Sequence, residues 1–137
     1  MAQNIKLEVV TPEKAVVEED AKIVVAPGNL GEFGVLPGHT TFLTTLKTGT
    51  LRYTDVNDQE RYVFVSGGFA EALPDKVTVL AESAERRRDI DIARAKAAIE
   101  RAEKRLAEQR LKEALDFTRA KAALERALQR LKLAETR

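Results

Sequence analysis

Residues 85–137 read ERRRDIDIARAKAAIERAEKRLAEQRLKEALDFTRAKAALERALQRLKLAETR, a run with neither glycine nor proline. Apolar residues recur in it every seven positions. In the first half these are Ile92, Ile99 and Leu106, with Ala95 and Ala102 three residues after the first two. In the second half they are Phe117, Leu124 and Leu131, with Ala120, Ala127 and Ala134 interleaved in the same way. That spacing describes a helix with one narrow apolar seam. Alanine at every second seam position lets two helix axes come close, so the halves are expected to form an antiparallel hairpin. Asp89 reads as the N-cap of the first helix, with Asp91 in its first turn, and Asp116 as the cap of a second helix from Phe117 onward. Residues 107–115, between the two, are all good helix formers. A linker of that kind permits the hairpin to open into longer helices, which points to two states of similar energy.

The preceding residues, 1–84, read differently. Ile5, Leu7 and Val9 alternate with Lys6 and Glu8 until Thr11-Pro12 stops the run. Val16-Val17 and residues 23–26, 42–46, 51–53, 62–65 and 77–80 follow as short apolar runs. Turn formers separate them: Pro27-Gly28-Asn29, Pro37-Gly38, Lys47-Thr48-Gly49, Asn57-Asp58, Gly67-Gly68 and Pro74-Asp75. Residues 55–61, between two alternating runs, give a hairpin signal. Many short strands at close spacing predict a small antiparallel sandwich or barrel. The chain therefore divides into a β domain over 1–84 and a helical domain over 85–137.

Composition narrows the chemistry. No cysteine is present, so disulfides and thiolate metal sites are excluded, and one histidine excludes a multi-histidine site. No apolar run approaches the roughly 20 residues that cross a bilayer, and Met1-Ala2-Gln3-Asn4 opens no signal peptide. A soluble protein of a reducing compartment is expected, with no direct membrane insertion. The overall charge of +1 conceals a split: residues 1–84 hold 7 Lys+Arg against 12 Asp+Glu, and residues 85–137 hold 16 against 10. A basic arm on an acidic body invites contact with something acidic. Nucleic acid is one candidate, but no aromatic stacking set accompanies the arginines. No Walker A, G-x-S-x-G or H-E-x-x-H pattern occurs. Gly67-Gly68 lacks the Lys-Ser/Thr of a P-loop and reads as a turn or bulge. His39 reads as a turn residue and Glu32 as a loop carboxylate. No set of acid, base, nucleophile and metal ligands can be assembled, so neither a catalytic nor a metal site is expected.

Four segments carry a resemblance. They are Gly31-Glu32-Phe33-Gly34-Val35-Leu36-Pro37-Gly38-His39, Val65-Ser66-Gly67-Gly68-Phe69-Ala70-Glu71, Val77-Thr78-Val79-Leu80 and Asp89-Ile90-Asp91-Ile92-Ala93-Arg94-Ala95. With the charged, alanine-rich helices after them, they resemble the epsilon subunits of F-type ATP synthases over essentially the whole chain. The resemblance implies an α+β fold, a flattened ten-stranded β-sandwich followed by an antiparallel two-helix hairpin. It implies a non-catalytic rotor subunit of the proton-translocating central stalk that couples gamma to the membrane ring and restrains ATP hydrolysis. Glu32 and His39 fall in the segment it places at the docking contact. The partners implied are gamma, the membrane ring, and the catalytic beta and alpha subunits. The location implied is peripheral, on the cytoplasmic face of the cell membrane in preference to a thylakoid.

The arginines give a second expectation. In a hairpin turning near residue 112, Arg94 comes level with Arg130, and Arg101 lies level with Leu124, one turn from Arg126. Arg126 and Arg130 share a face, where like charges cost roughly 0.2–0.5 kcal/mol per pair. Converging guanidinium groups repel unless an anion sits among them, and their forks match phosphate. Spacing alone also fits a solvated basic face. Epsilon subunits that bind ATP are similar in having Ile90, Asp91, Arg94 and Ala95 as a motif, with arginines matching Arg101, Arg126 and Arg130 and a glutamate matching Glu85. The resemblance thus implies ATP as a regulatory ligand, with no covalent cofactor. Two further classes remain as alternatives, a nucleic-acid-binding module and a coiled-coil adaptor. The first leaves the Glu32 turn unexplained, and the second leaves the β half unexplained.

Overall fold

A computed structural model describes residues 3–109 and 114–136. It separates into two compact units, residues 1–87 and 88–137. The division lies three residues beyond 84/85, because Ser83–Arg86 forms a strand that pairs with the sheet.

The first unit is built from strands that alternate buried and exposed side chains, the pattern of a sheet with one face on a core. The strands are β1 (Ile5–Val10), β2 (Ala15–Gly28), β3 (Gly31–Val35), β4 (Phe42–Thr45), β5 (Gly49–Asp55), β6 (Glu60–Ser66), β7 (Phe69–Ala72), β8 (Lys76–Leu80) and β9 (Ser83–Arg86). They pair in the order β4-β7-β8-β1-β2-β5-β6-β9, with β3 on β2. Ladders are antiparallel except β1 with β8, where Leu7 lies opposite Val77. Ile5, Leu7 and Val9 of β1, Val77 and Val79 of β8, Leu51 and Tyr53 of β5, and Val63 and Val65 of β6 point into one core.

β2 joins the layers. Ala21 pairs with both Ile5 and Asp55, and Val24 pairs with both Val35 and Tyr53. β1 and β3 therefore occupy successive lengths of one edge, and β5 lies on the other. The β2–β5 register slips between Ala21 and Ile23. Up to Ala21 the odd residues Val17 and Ala21 are buried, and after it the even residues Val24 and Ala26 are. A bulge at Lys22 thus reverses which face points inward. Ten strands are implied by the resemblance, whereas nine form among the described residues. Two apolar runs, 16–17 and 23–26, are one strand with a change of phase.

Gly67 and Gly68, with φ of 68° and 91°, link β6 to β7 and carry the chain from one side of the sheet path to the other. They form a turn, as their sequence suggests. Asp58, at φ 63°, turns the β5–β6 hairpin. Its carboxylate accepts from Lys22 Nζ at 2.6 Å, while Asp55 accepts from Asn57 N and Gln59 N, both at 2.9 Å.

The second unit holds α1 (Ile92–Gln109) and α2 (Ala114–Glu135). They pack along one another, and a connection of four residues allows this only as an antiparallel hairpin. Ala95, Ala102, Ala120 and Ala127 are buried, so the small residues of the seam form its closest part. Ile92 and Phe117, the first seam residues of each half, are instead 40% and 43% exposed, and Leu133, off the seam, is buried. The caps also differ from expectation. Asp91, not Asp89, is the N-cap: its Oδ1 accepts from Arg94 N at 3.0 Å, and its carbonyl accepts from Ala95 N. Asp89 closes a preceding 3-10 turn, Arg87–Asp89. Asp116 lies inside the first turn of α2, because Ala114 and Leu115 already favour helix. The linker reading of 107–115 is helical at both ends, while residues 110–113 lie outside the described residues.

Candidate functional site

Two places carry the expected contacts, one in each unit. In the sandwich, Glu32 sits on β3 opposite Pro27 and is gripped by Arg52 of β5. Arg52 Nη1 and Nη2 donate to the two Glu32 oxygens at 3.0 and 3.2 Å, a bidentate fork. Arg52 Nε also lies 3.8 Å from Glu60. His39 is held differently. Its amide donates to the Leu36 carbonyl, Gly38 N donates to Pro74 O, and its Nδ1 donates to the Thr40 carbonyl. Its ring lies 6.3 Å from that of Phe42, which packs edge-on to Phe33 at 5.2 Å. Glu32 and His39 therefore have separate supports. Arg52 was not singled out from sequence, although its outward place between buried Leu51 and Tyr53 puts it level with β2 and β3.

A separate surface of the sandwich, on β7, β8 and β1, is apolar. Phe69 pairs with Leu80, which pairs with Val10, a row across β7, β8 and β1 on their outer face. Phe69 and Leu80 are nearly half exposed, and Leu43 of β4 more so. Val10, Pro12, Phe69 and Leu80 line a groove of about 490 Å³. Exposed apolar side chains are thus grouped on one face of the sheet.

In the helical unit, the four arginines fall on one flank. At 100° per residue, Arg94 and Arg101 lie about 120–140° from the seam of α1, and Arg126 and Arg130 lie about 130° and about 90° from the seam of α2 in the same sense. Antiparallel packing brings equal phases of the two helices to the same side of a hairpin. Arg94 and Arg101 are exposed, and Arg126 and Arg130 are half-buried. Leu133 shares the phase of Arg126 and is buried. The other expected contacts are less available. Ala95 is in the seam, Ile90 is buried just before α1, and one oxygen of Asp91 caps the helix. Glu85 belongs to β9 of the first unit, opposite Phe64. Among the described residues no group of acidic and histidine side chains could hold a metal ion, and no helix is long and apolar enough to cross a membrane.

Comparison with known proteins supplies the family. The beta-sandwich domain of the ATP synthase Delta/Epsilon chain matches residues 4–87, and the long alpha-helix domain of the same chain matches residues 88–135. The ATP synthase epsilon chain of Desulfosudis oleivorans is 66% identical over 106 residues, covering 77% of this chain and 80% of that one. The epsilon chain of Desulforapulum autotrophicum is 66% identical over 109 residues, covering 80% and 81%. This chain belongs to the family of ATP synthase epsilon chains. Members of the epsilon-chain family are non-catalytic subunits of the synthase. The fold also matches a chain in the mitochondrial ATP synthase of Euglena gracilis, an assembly of OSCP, F1 and c-ring, with TM-score 0.75 and 23% identity over 91% of this chain and 78% of that one. A chain of the central stalk and c-ring of Tetrahymena thermophila mitochondrial ATP synthase matches with TM-score 0.65 and 16% identity, over 97% and 98%.

Proposed function

We propose that this epsilon chain is a rotor subunit of the central stalk of a proton-translocating ATP synthase, and that its helical unit is an ATP-sensitive brake on hydrolysis. The sandwich docks between gamma and the membrane ring through its apolar outer face and the segment from Glu32 to His39. The helical arm, when open, runs beside gamma and reaches acidic segments of the catalytic beta and alpha subunits. In this reading the chain is peripheral, on the cytoplasmic face of the membrane. Chains of similar fold in the Euglena assembly of OSCP, F1 and c-ring and in the Tetrahymena central stalk and c-ring support the assignment of partners.

The observation that carries the ATP reading is the common flank of Arg94, Arg101, Arg126 and Arg130. Closed, the hairpin gathers these charges where a triphosphate relieves their repulsion. Open, it scatters them, so ATP binds the closed state better and shifts the balance toward it. The shift is about 2.7 kcal/mol when ATP exceeds its Kd a hundredfold. Ile90 and Asp91 take the adenine and ribose end in this reading, with Ala95 allowing close approach.

Calorimetry on the whole chain tests it. Replacing Arg126 and Arg130 together by Ala abolishes ATP binding while the sandwich stays folded; unchanged affinity returns the flank to a solvated basic face. Deleting residues 89–137 raises ATP hydrolysis by the assembled complex and leaves synthesis largely intact. Unaltered hydrolysis in that deletion removes the brake from the reading.

A further inference from the structure

Three consecutive arginines, Arg86-Arg87-Arg88, join the two units, and they are not equivalent. The Arg86 side chain is only 18% exposed and spends every arm of its fork inside the sandwich. Nε donates to the Val16 carbonyl at 3.1 Å, Nη1 to Tyr53 Oη at 3.2 Å, and Nη2 to Glu19 Oε1 at 3.1 Å. Tyr53 Oη in turn donates to Glu19 Oε2 at 2.7 Å, which closes a ring of three side chains from β9, β5 and β2. Arg87 lies over the Tyr62 ring, 5.0 Å from its centroid, a second hold on β6. Arg88 is exposed and begins the helical unit.

We propose that Arg86 is a positioning residue that, through Glu19 and Tyr53, fixes the pivot of the helical arm at the peptide between Arg87 and Arg88. This rests on the reading of residues 88–137 as an arm that opens and closes. β9 is an edge strand of four residues with β6 as its neighbour in the sheet order. Ladder hydrogen bonds alone would let so short an edge fray when the chain beyond it moves. The clasp prevents this by tying the last strand residue to two strands that are not its ladder partners. A charge-assisted, multidentate contact suits the task, because a fork engaged at three points cannot slide. Motion of the arm then stops at Arg87, and the sandwich keeps the same shape in both arm states. Two of the three linker arginines are thereby committed to the sandwich, which leaves Arg88 as the linker cation on the arm side.

Amide hydrogen exchange on the full chain tests the clasp. In Glu19→Gln, Arg86→Leu and Arg86→Lys the amides of Ser83–Arg86 are expected to exchange about tenfold faster or more, the loss for a charge-assisted contact. Amides of β1 keep their protection. Lysine does not rescue, because it cannot fork. Tyr53→Phe, which keeps the ring, provides a milder variant if the others do not fold. Wild-type exchange of β9 in Glu19→Gln and Arg86→Leu overturns the clasp. Equal loss in β1 and β9 also overturns it, since the contact would then serve only global stability. Exchange in α1 that does not respond to saturating ATP overturns the arm reading, and the pivot with it, even where the β9 result stands.

Discussion

Gly68 approaches Leu80 so closely that a Cβ built on it would stand 1.9 Å from the Leu80 carbonyl oxygen and 2.8 Å from Ala81 Cα. Both are backbone atoms and neither can turn aside. The φ of 91° adds strain for any L side chain. Gly68→Ala should therefore cost on the order of 4 kcal/mol or more, the range reserved for steric failures in the core. Urea unfolding of the whole chain measures it, and a loss below about 1 kcal/mol would mean that the β6–β7 link relaxes freely.

Asp55 supplies an acid-sensitive contribution to the sandwich. Hydrogen bonds from the Gln59 and Asn57 amides, with the Arg61 guanidinium at 3.1 Å, hold its carboxyl below the ordinary value of 3.8 despite partial desolvation. A carboxylate with a depressed folded pKa stabilises above its unfolded pKa, and that share is lost as pH falls through the folded value. Asp55→Asn should lower the melting temperature at pH 7. The gap to the native chain should then shrink as the pH is taken below about 4. A gap that stays constant across that window would show that Asp55 acts through shape alone.

Tyr53 predicts the opposite limb. Burial first, and its hydrogen bond to Glu19 second, push its phenol up to about 12. A raised folded pKa means that the tyrosine contribution is complete below about pH 10 and disappears as pH rises toward 12. Tyr53→Phe should be less stable at neutral pH and should flatten the loss between pH 10 and 12. Thermal melts across alkaline buffers decide it, and an equally steep loss in the variant would place the titration elsewhere.

The alanine seam predicts a local effect. Ala127 is 1% exposed and faces α1, so Ala127→Leu adds volume where the helices are closest. Overpacking of this kind costs about 1–3 kcal/mol. Amide exchange should quicken in α1 and α2 while β1 and β8 are unaffected. Slower exchange in the helices would mean that the hairpin has room to widen.

Much of this was legible in the residues. A seven-residue repeat without Gly or Pro could form little except seamed helices, and Ala95, Ala102, Ala120 and Ala127 are buried as the spacing requires. The alternation of β1 gave its inward face directly. What escaped was non-local. Gly31 and Gly34 give the local look of a turn and mask β3, a strand that exists by pairing with β2. β9 carries Glu85 and Arg86, poor strand formers that the β6 edge and the Arg86 clasp recruit. Asp89 and Asp91 are equally good caps in isolation, and the 3-10 turn before the helix selects Asp91. On the arm, the arginine flank was readable from phase, whereas the commitment of Arg86 to Glu19 spans 67 residues and left no local trace.

The reversal at Lys22 has a mechanical corollary. Because one covalent backbone runs through both halves of the sheet, the two sides cannot be peeled apart by breaking hydrogen bonds in sequence. Separating them means extending or shearing β2 itself. A body stitched in this way is stiff in torsion about that strand, so a twist imposed at one end should arrive at the other with little lost to internal slippage.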